Sequence, residues 1–144
     1  MNIIFDNSKA GKEIIKQVQK TQKNNSNDFN NLKKKIEKDR DDLKKQKNVL
    51  SEDEYKKKFV ELDKSFKEYN ALLNKRNSEI TNFQLKARAE FYNKLTPILE
   101  TYAKENSISI ILKKENILIG KTDLDISKKI LELFDKNVKK ISVK

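Results

Sequence analysis

The fold is decided by residues 107–134, SISIILKKENILIGKTDLDISKKILELF, because only here does a lysine-rich helical pattern give way to apolar runs. Ile108–Leu112 and Ile117–Ile119 are rich in β-branched residues, a polar four-residue link separates them, and Gly120 closes the second run. This arrangement predicts a β-hairpin over 108–119. A two-stranded hairpin is not stable alone in water, so we expect it to pair with something else.

A C-terminal helix is predicted directly after the hairpin, over about 126–138. Ser127 or Asp125 can cap its first turn, and Ile130, Leu131 and Phe134 stand three and four residues apart on one face. A basic tail follows this helix.

The composition favours long, thin helices over a conventional globular core. Only 35% of the 144 residues are hydrophobic while 38% are charged, and the mean hydropathy is −0.88. Such values fit either disorder or helices with a narrow apolar stripe. Two glycines and one proline exclude a loop-rich chain, so helix is the better interpretation.

Two long helices with an apolar seam are predicted before the hairpin, from about Lys9 to Val49 and from Glu52 to Glu105. Ser51 and Glu54 form a capping box at the start of the second helix, so an antiparallel hairpin with its tip near 50–53 is expected. The first helix has polar residues at two seam positions, Asp39 and Gln46. The seam residues are, in the first helix, Phe29, Leu32, Ile36, Leu43 and Leu50, and in the second, Tyr55, Phe59, Leu62, Phe66, Tyr69, Leu73, Arg76, Ile80, Phe83 and Ala87.

The aromatic residues of the second helix are expected to pack in this seam, because their spacing is regular. Pro97 lies inside the same helix and predicts a kink near 93–96.

The predicted fold class is therefore mainly α with a small β part. A body (1–20 and 100–144) would contain the β-hairpin and the last helix, and a helical-hairpin arm would occupy 21–99. One such body has too few strands to close its own edges, so association through it is expected. The apolar residues assigned to that association are Ile108, Ile110, Leu112, Ile117, Ile119, Leu124 and Ile126.

A net charge of +11 indicates an acidic partner, whether nucleic acid, anionic lipid or protein. Acidic residues are mixed among the lysines, so no nucleic acid partner is expected. A basic group on the second helix is a candidate contact for client or lipid: Lys75, Arg76, Lys86 and Arg88. In all these cases an ordinary solvated helix face is the simpler interpretation.

Enzymatic activity is not expected, and neither is a cofactor or a metal. The chain has no histidine and no cysteine, which removes the usual general base, thiol nucleophile and metal ligands. Gly11-Lys12 is a lone dipeptide without the remaining residues of a phosphate-binding loop. No apolar run approaches the length needed to span a bilayer, and the first residues do not resemble a signal peptide.

Two segments resemble the Skp/OmpH family of periplasmic chaperones. Ser8–Lys12, SKAGK, is similar to the S-x-A-G-K motif that opens the family's first helix. Tyr102–Ile130 is similar to its helix end, two strands and L-D-I-T signature, here Leu124-Asp125-Ile126-Ser127. The resemblance implies a homotrimer in which a β-rich body holds helical arms around a cavity. There unfolded outer-membrane proteins would be held without ATP, in the periplasm.

Only seven residues precede Ser8, fewer than the family places there. We therefore expect Met1 to be an internal methionine, with a signal peptide and most of a first strand outside this chain. Two other functions remain open at this point. One is a coiled-coil structural or adaptor protein that binds a folded partner, and the less favoured one is a basic nucleic-acid binder.

Overall fold

The computed structural model describes residues 2–143, which are almost entirely helical. No β-strand occurs within these residues. Three short 3-10 turns connect or follow the helices, at Gln46–Asn48, Lys114–Asn116 and Thr122–Leu124. The four α-helices are α1 (Asn2–Asn7), α2 (Lys9–Lys45), α3 (Glu52–Glu105) and α4 (Ser127–Asn137).

The two long helices are confirmed, and α3 has the predicted bounds. Its start is fixed by the capping box: the Ser51 backbone N–H donates to Glu54 Oε2 (3.1 Å) and the Glu54 N–H donates to Ser51 Oγ (3.3 Å). Each partner thus satisfies a backbone donor that the first helical turn leaves unpaired. The Ser51 hydroxyl, which donates to Glu54 Oε2 (2.7 Å), and the Ser51 N–H hold the pKa of the Glu54 carboxyl below its ordinary value.

The chain divides into two compact units. The first, called the core unit, comprises Met1–Gln19 and Asn82–Lys144, and the second, called the hairpin unit, is Lys20–Thr81. The sequence had placed residues 82–99 in the arm, but the structure groups them with the chain ends. The reason is that Ala87, Phe91 and Leu95 on α3 are fully buried in the core of the first unit.

Aromatic packing dominates the core unit. Phe91 makes an edge-to-face contact with Phe5 (ring centroids 4.9 Å apart) and a tilted contact with Phe134 (4.4 Å). Ile130 from α4 is also completely buried beside them. Each such side chain contributes about 1.5–3 kcal/mol when fully removed from water, so this cluster is the main source of stability in the unit.

The SKAGK segment forms a tight joint between α1 and α2. Ser8 is buried and caps α2: its Oγ accepts from the Gly11 N–H (3.1 Å) and donates to the Phe5 carbonyl (3.2 Å). A Cβ at Gly11 would overlap that carbonyl, so the close approach requires glycine. The Lys9 N–H donates to Asp135 on α4 (2.9 Å).

The described residues before Ser8 form helix α1, although the resemblance implies the end of a first strand there. Asn2–Asn7 is helical, and Ile4 and Phe5 from it are buried in the core. Ile4 and Phe5 therefore enter the core from a short helix and not from a strand. Met1 lies outside the described residues, so the expectation about it remains a prediction.

The predicted β-hairpin is not confirmed. Helix α3 ends at Glu105. Two residues later Ser107 takes the left-handed conformation (φ 54°), and the Ile108 N–H donates to the Ala103 carbonyl (2.9 Å). The polar link then forms the 3-10 turn Lys114–Asn116, with extended backbone at Lys113 and Ile117 on either side. Two short runs cannot sustain a ladder without a third strand, which explains extended chain instead of strands. The helix that follows is confirmed as α4.

Candidate functional site

The most unusual surface of the core unit is the apolar segment, defined as residues 108–124. Its large side chains are left in water: the exposed fractions are 73% for Ile110, 61% for Leu112, 44% for Ile117, 96% for Leu118, 90% for Ile119 and 71% for Leu124. Single exposed apolar residues are ordinary, but a contiguous set of this size is typical of an interaction surface.

The residues predicted to mediate association fall into two groups. Ile110, Leu112, Ile117, Ile119 and Leu124 are exposed and can meet another chain. Ile108 is only half-buried, and Ile126 packs against the core of its own unit, so it belongs to the internal packing. Leu118 was not predicted although it is the most exposed of all. Its position inside the apolar run was the available signal. In a strand, however, Leu118 would point to the face opposite that of its neighbours Ile117 and Ile119, which were assigned to the association.

A side-chain bridge connects the turn of the apolar segment to α4. Lys114 Nζ donates to Asp125 Oδ2 (2.6 Å), and the Ser127 N–H donates to Asp125 Oδ1 (3.0 Å). The Lys114 ammonium first, and the Ser127 donors second, hold the pKa of the Asp125 carboxyl well below its usual range. The carboxylate is exposed, so the bridge stabilises little and mainly fixes where the turn lies.

The four residues of the predicted basic group are not gathered into one site. Arg76, in the hairpin unit, donates to Asp28 (3.0 Å) and Asn25 (2.9 Å) and lies 5.7 Å from the Phe29 ring centre. Lys75, in the same unit, is exposed. Arg76 therefore serves to join α2 to α3.

The other two basic residues belong to the core unit. Arg88 lies over the Phe5 ring at 5.5 Å, which is a cation–π contact within its own chain. Lys86 lines a shallow depression with Ala89, Glu90 and Ser142. Both arginines of the predicted group are thus used in packing the molecule itself.

A groove between α2 and α3 in the hairpin unit was not predicted. Its volume is about 520 Å³, and Phe59 and Phe66 on its wall are about half exposed, at 55% and 54%. Phe59 and Phe66 thus lie on the predicted seam face between the two helices, but the seam does not cover them. The lining residues are Lys33, Ile36, Glu37, Arg40, Phe59, Leu62, Asp63, Phe66 and Tyr69.

Groups of histidine, cysteine, aspartate or glutamate that could hold a metal ion are absent from the described part of the chain. Within residues 2–143, no helix is both long and apolar enough to cross a membrane.

Comparisons with known proteins give one family and one related structure. The profile of the family described as Outer membrane protein (OmpH-like) matches residues 1–134. The fold is similar to the 2.83 Å crystal structure of an OmpH-like protein from Caulobacter crescentus CB15, proposed to be an outer membrane chaperone. The TM-score is 0.87 at 14% identity, over 96% of this chain and 82% of that one. A search among curated proteins found no match.

Proposed function

The chain belongs to the OmpH-like family of outer membrane proteins, and we propose that it is a periplasmic chaperone that holds unfolded outer-membrane proteins without ATP. The observation that carries this proposal is the exposed apolar segment, residues 108–124, on a chain otherwise made of highly charged helices. An ATP-independent mechanism agrees with the environment of Gly11. Its N–H is bonded to Ser8 inside the joint between α1 and α2 and is not presented to a phosphate.

We propose that the apolar segments of three chains associate into a homotrimer. Five of the exposed side chains, if fully buried, would contribute roughly 8–15 kcal/mol, at about 1.5–3 kcal/mol each. That is comparable with the ~4–15 kcal/mol that association costs in lost freedom of motion. The extended backbone at Lys113 and Ile117 would let segments from different chains pair as strands, which a lone chain cannot do.

The hairpin unit suits weak binding at many points. Residues 20–81 contain 17 Lys and Arg against 12 Asp and Glu, a net charge of +5, and they expose Phe59 and Phe66. A client held through scattered apolar and charged contacts is not forced into one conformation, and dissociation of any one contact is fast. Such binding would keep a membrane protein unfolded but unaggregated.

The test is an aggregation assay without nucleotide. A urea-unfolded outer-membrane β-barrel is diluted into buffer with the trimer at stoichiometric ratio, and light scattering is followed. The proposal predicts suppressed scattering that does not change when ATP is added. Scattering equal to that of the client alone would contradict it.

A further inference from the structure

We propose that the groove of the hairpin unit binds a single aromatic side chain of an unfolded segment that carries acidic residues beside it. The proposal deepens the chaperone function and rests on it, because it names the kind of client segment that the hairpin unit would hold. It starts from two phenylalanines, Phe59 and Phe66, that stay half exposed on the wall of a groove of about 520 Å³.

The groove is already formed between two contacts that join α2 to α3. Towards one end, Phe29 meets Tyr69 edge to face (5.8 Å between ring centres) and Arg76 bonds Asp28 (3.0 Å). Towards the other end, Lys58 donates to Gln46 Oε1 (2.7 Å). The helices are held together on both sides, so a ligand would enter without separating them.

The groove is closed by contacts at both ends, so it fits a single side chain of a client better than a client helix. A partner helix lies in a continuous apolar groove and inserts residues at several successive turns. Here the apolar floor is confined to Ile36, Leu62 and the three rings of Phe59, Phe66 and Tyr69. The volume falls in the range of about 300–1,000 Å³ that accommodates small ligands, which is sufficient for one indole or phenol ring.

The rings favour an aromatic occupant over an aliphatic one. Aromatic pairs gain from edge-to-face geometry with ring centres about 4.5–7 Å apart, in addition to the area that they bury. Phe59, Phe66 and Tyr69 come from one face of α3, at steps of seven and three residues, so an inserted ring meets several edges and faces at once.

The charges that line the groove are balanced, Lys33 and Arg40 against Glu37 and Asp63, but the net charge of the hairpin unit favours acidic neighbours in the client. Each acidic residue of the rim has a lysine beside it: Glu37 lies 3.9 Å from Lys33, and Asp63 lies 2.6 Å from Lys67. The hairpin unit as a whole carries a net charge of +5. Aspartate or glutamate flanking the aromatic residue would therefore be attracted, and the attraction would be screened by salt.

The experiment uses tryptophan fluorescence, because this chain contains no tryptophan. A short peptide with one tryptophan between aspartates is titrated with the full-length protein. We expect its emission to shift to shorter wavelength on binding. Phe66→Ala should weaken binding about tenfold, and Phe59→Ala should act in the same direction. Both residues are half exposed, so these variants should fold, and far-ultraviolet circular dichroism checks this.

Val60→Ala is the matched control, because Val60 is equally exposed (59%) but does not line the groove. It should bind the peptide like the wild type. A peptide with lysines in place of the aspartates should bind more weakly, and the difference should shrink as salt is added. An unshifted emission, or equal losses in Phe66→Ala and Val60→Ala, would overturn the proposal. So would a change in the mass of Phe66→Ala with unchanged peptide binding, which would place a second copy of the chain in the groove.

Failure of this proposal can be separated from failure of the chaperone function. If the wild type suppresses aggregation but Phe66→Ala binds the peptide normally, the groove assignment is wrong and the chaperone function stands. If the peptide binds in the groove but the protein leaves client aggregation unchanged, the groove site stands and the chaperone function is refuted.

Discussion

The core unit and the hairpin unit are both built from charged helices, but they differ in how far their large apolar side chains are buried. In the core unit, Phe91, Leu95, Ile130 and Phe134 are completely buried among four helices. Among the described residues of the hairpin unit, only Phe29 and Leu43 are buried, while large aromatics remain half exposed. The comparison shows that the chain concentrates tight packing in one unit and leaves large apolar side chains of the other unit uncovered. Residues that are free to meet a client are those that its own packing does not need.

Truncating an aromatic residue in each unit should give the largest difference. Phe91→Ala removes a ring packed against Phe5 and Phe134, and we expect it to lower the free energy of unfolding by about 3–5 kcal/mol. Phe66→Ala should change it by less than about 0.5 kcal/mol, because the side chain is half exposed. Urea unfolding followed by circular dichroism measures both. Equal losses would show that the hairpin unit depends on Phe66 for stability.

Adding a methyl group at each of the two glycines should give the next largest effect. In Gly11→Ala the new Cβ would overlap the Phe5 backbone carbonyl, so α1 must move from the core, at a cost of about 1–3 kcal/mol. In the control variant Gly120→Ala the new Cβ would meet only a side-chain methyl of Ile117 at 3.3 Å. Thermal unfolding should show a clearly lower melting temperature for Gly11→Ala and almost no change for Gly120→Ala. A Gly11→Ala variant as stable as wild type would mean that the joint is not tight.

Removing the contact that joins the helices of the hairpin unit should have a smaller effect. Arg76→Ala loses the bonds to Asp28 and Asn25 and the contact with the Phe29 ring. The pair is partly exposed, so we expect a loss of about 1 kcal/mol. Lys75→Ala, one residue earlier and exposed, serves as the control and should change stability by less than about 0.5 kcal/mol. Hydrogen exchange of α2 amides would show the loosening directly, and identical exchange in both variants would argue against it.

The Asp125 bridge should give the smallest effect, visible through its pH dependence. The pKa of this carboxyl is lowered from the ordinary value of 3.8, so the folded state favours the ionised form. The stabilisation is therefore present above pH 3.8 and is lost as the pH falls below it towards the folded pKa. Wild type should unfold slightly later than Asp125→Asn at pH 7, and the difference should shrink below pH 3.8. A carboxyl resonance that titrates at the ordinary value would contradict this.

Local signals in the sequence were sufficient to predict the long helices. The capping box at Ser51 and Glu54 places the start of α3 correctly, because both partners lie within one helical turn. The final helix was predicted for the same reason, from Ile130 and Phe134 on one face. The S-x-A-G-K resemblance also coincides with a real structural joint, in which Gly11 is required by close packing.

Long-range packing accounts for what the sequence did not predict. The buried face of Ala87, Phe91 and Leu95 continues from the arm seam in helical steps of four, so nothing local shows that it packs against the chain ends. Phe59 and Phe66 have the spacing of the seam, yet they stay half exposed, because Ile36 is the one apolar residue among those that α2 contributes to their groove. The β-hairpin stays unconfirmed, because strand pairing depends on a partner that the two runs do not themselves contain.

The central claim is that the exposed apolar segment joins chains, and the mass of the assembly tests it most directly. Size-exclusion chromatography with light scattering should give the wild type a mass three times that of the 16.9 kDa chain. The double variant Ile110→Asp/Ile119→Asp should give the mass of one chain, because each carboxylate would be buried in an apolar layer. A wild type with the mass of one chain, or a double variant with unchanged mass, would contradict the account.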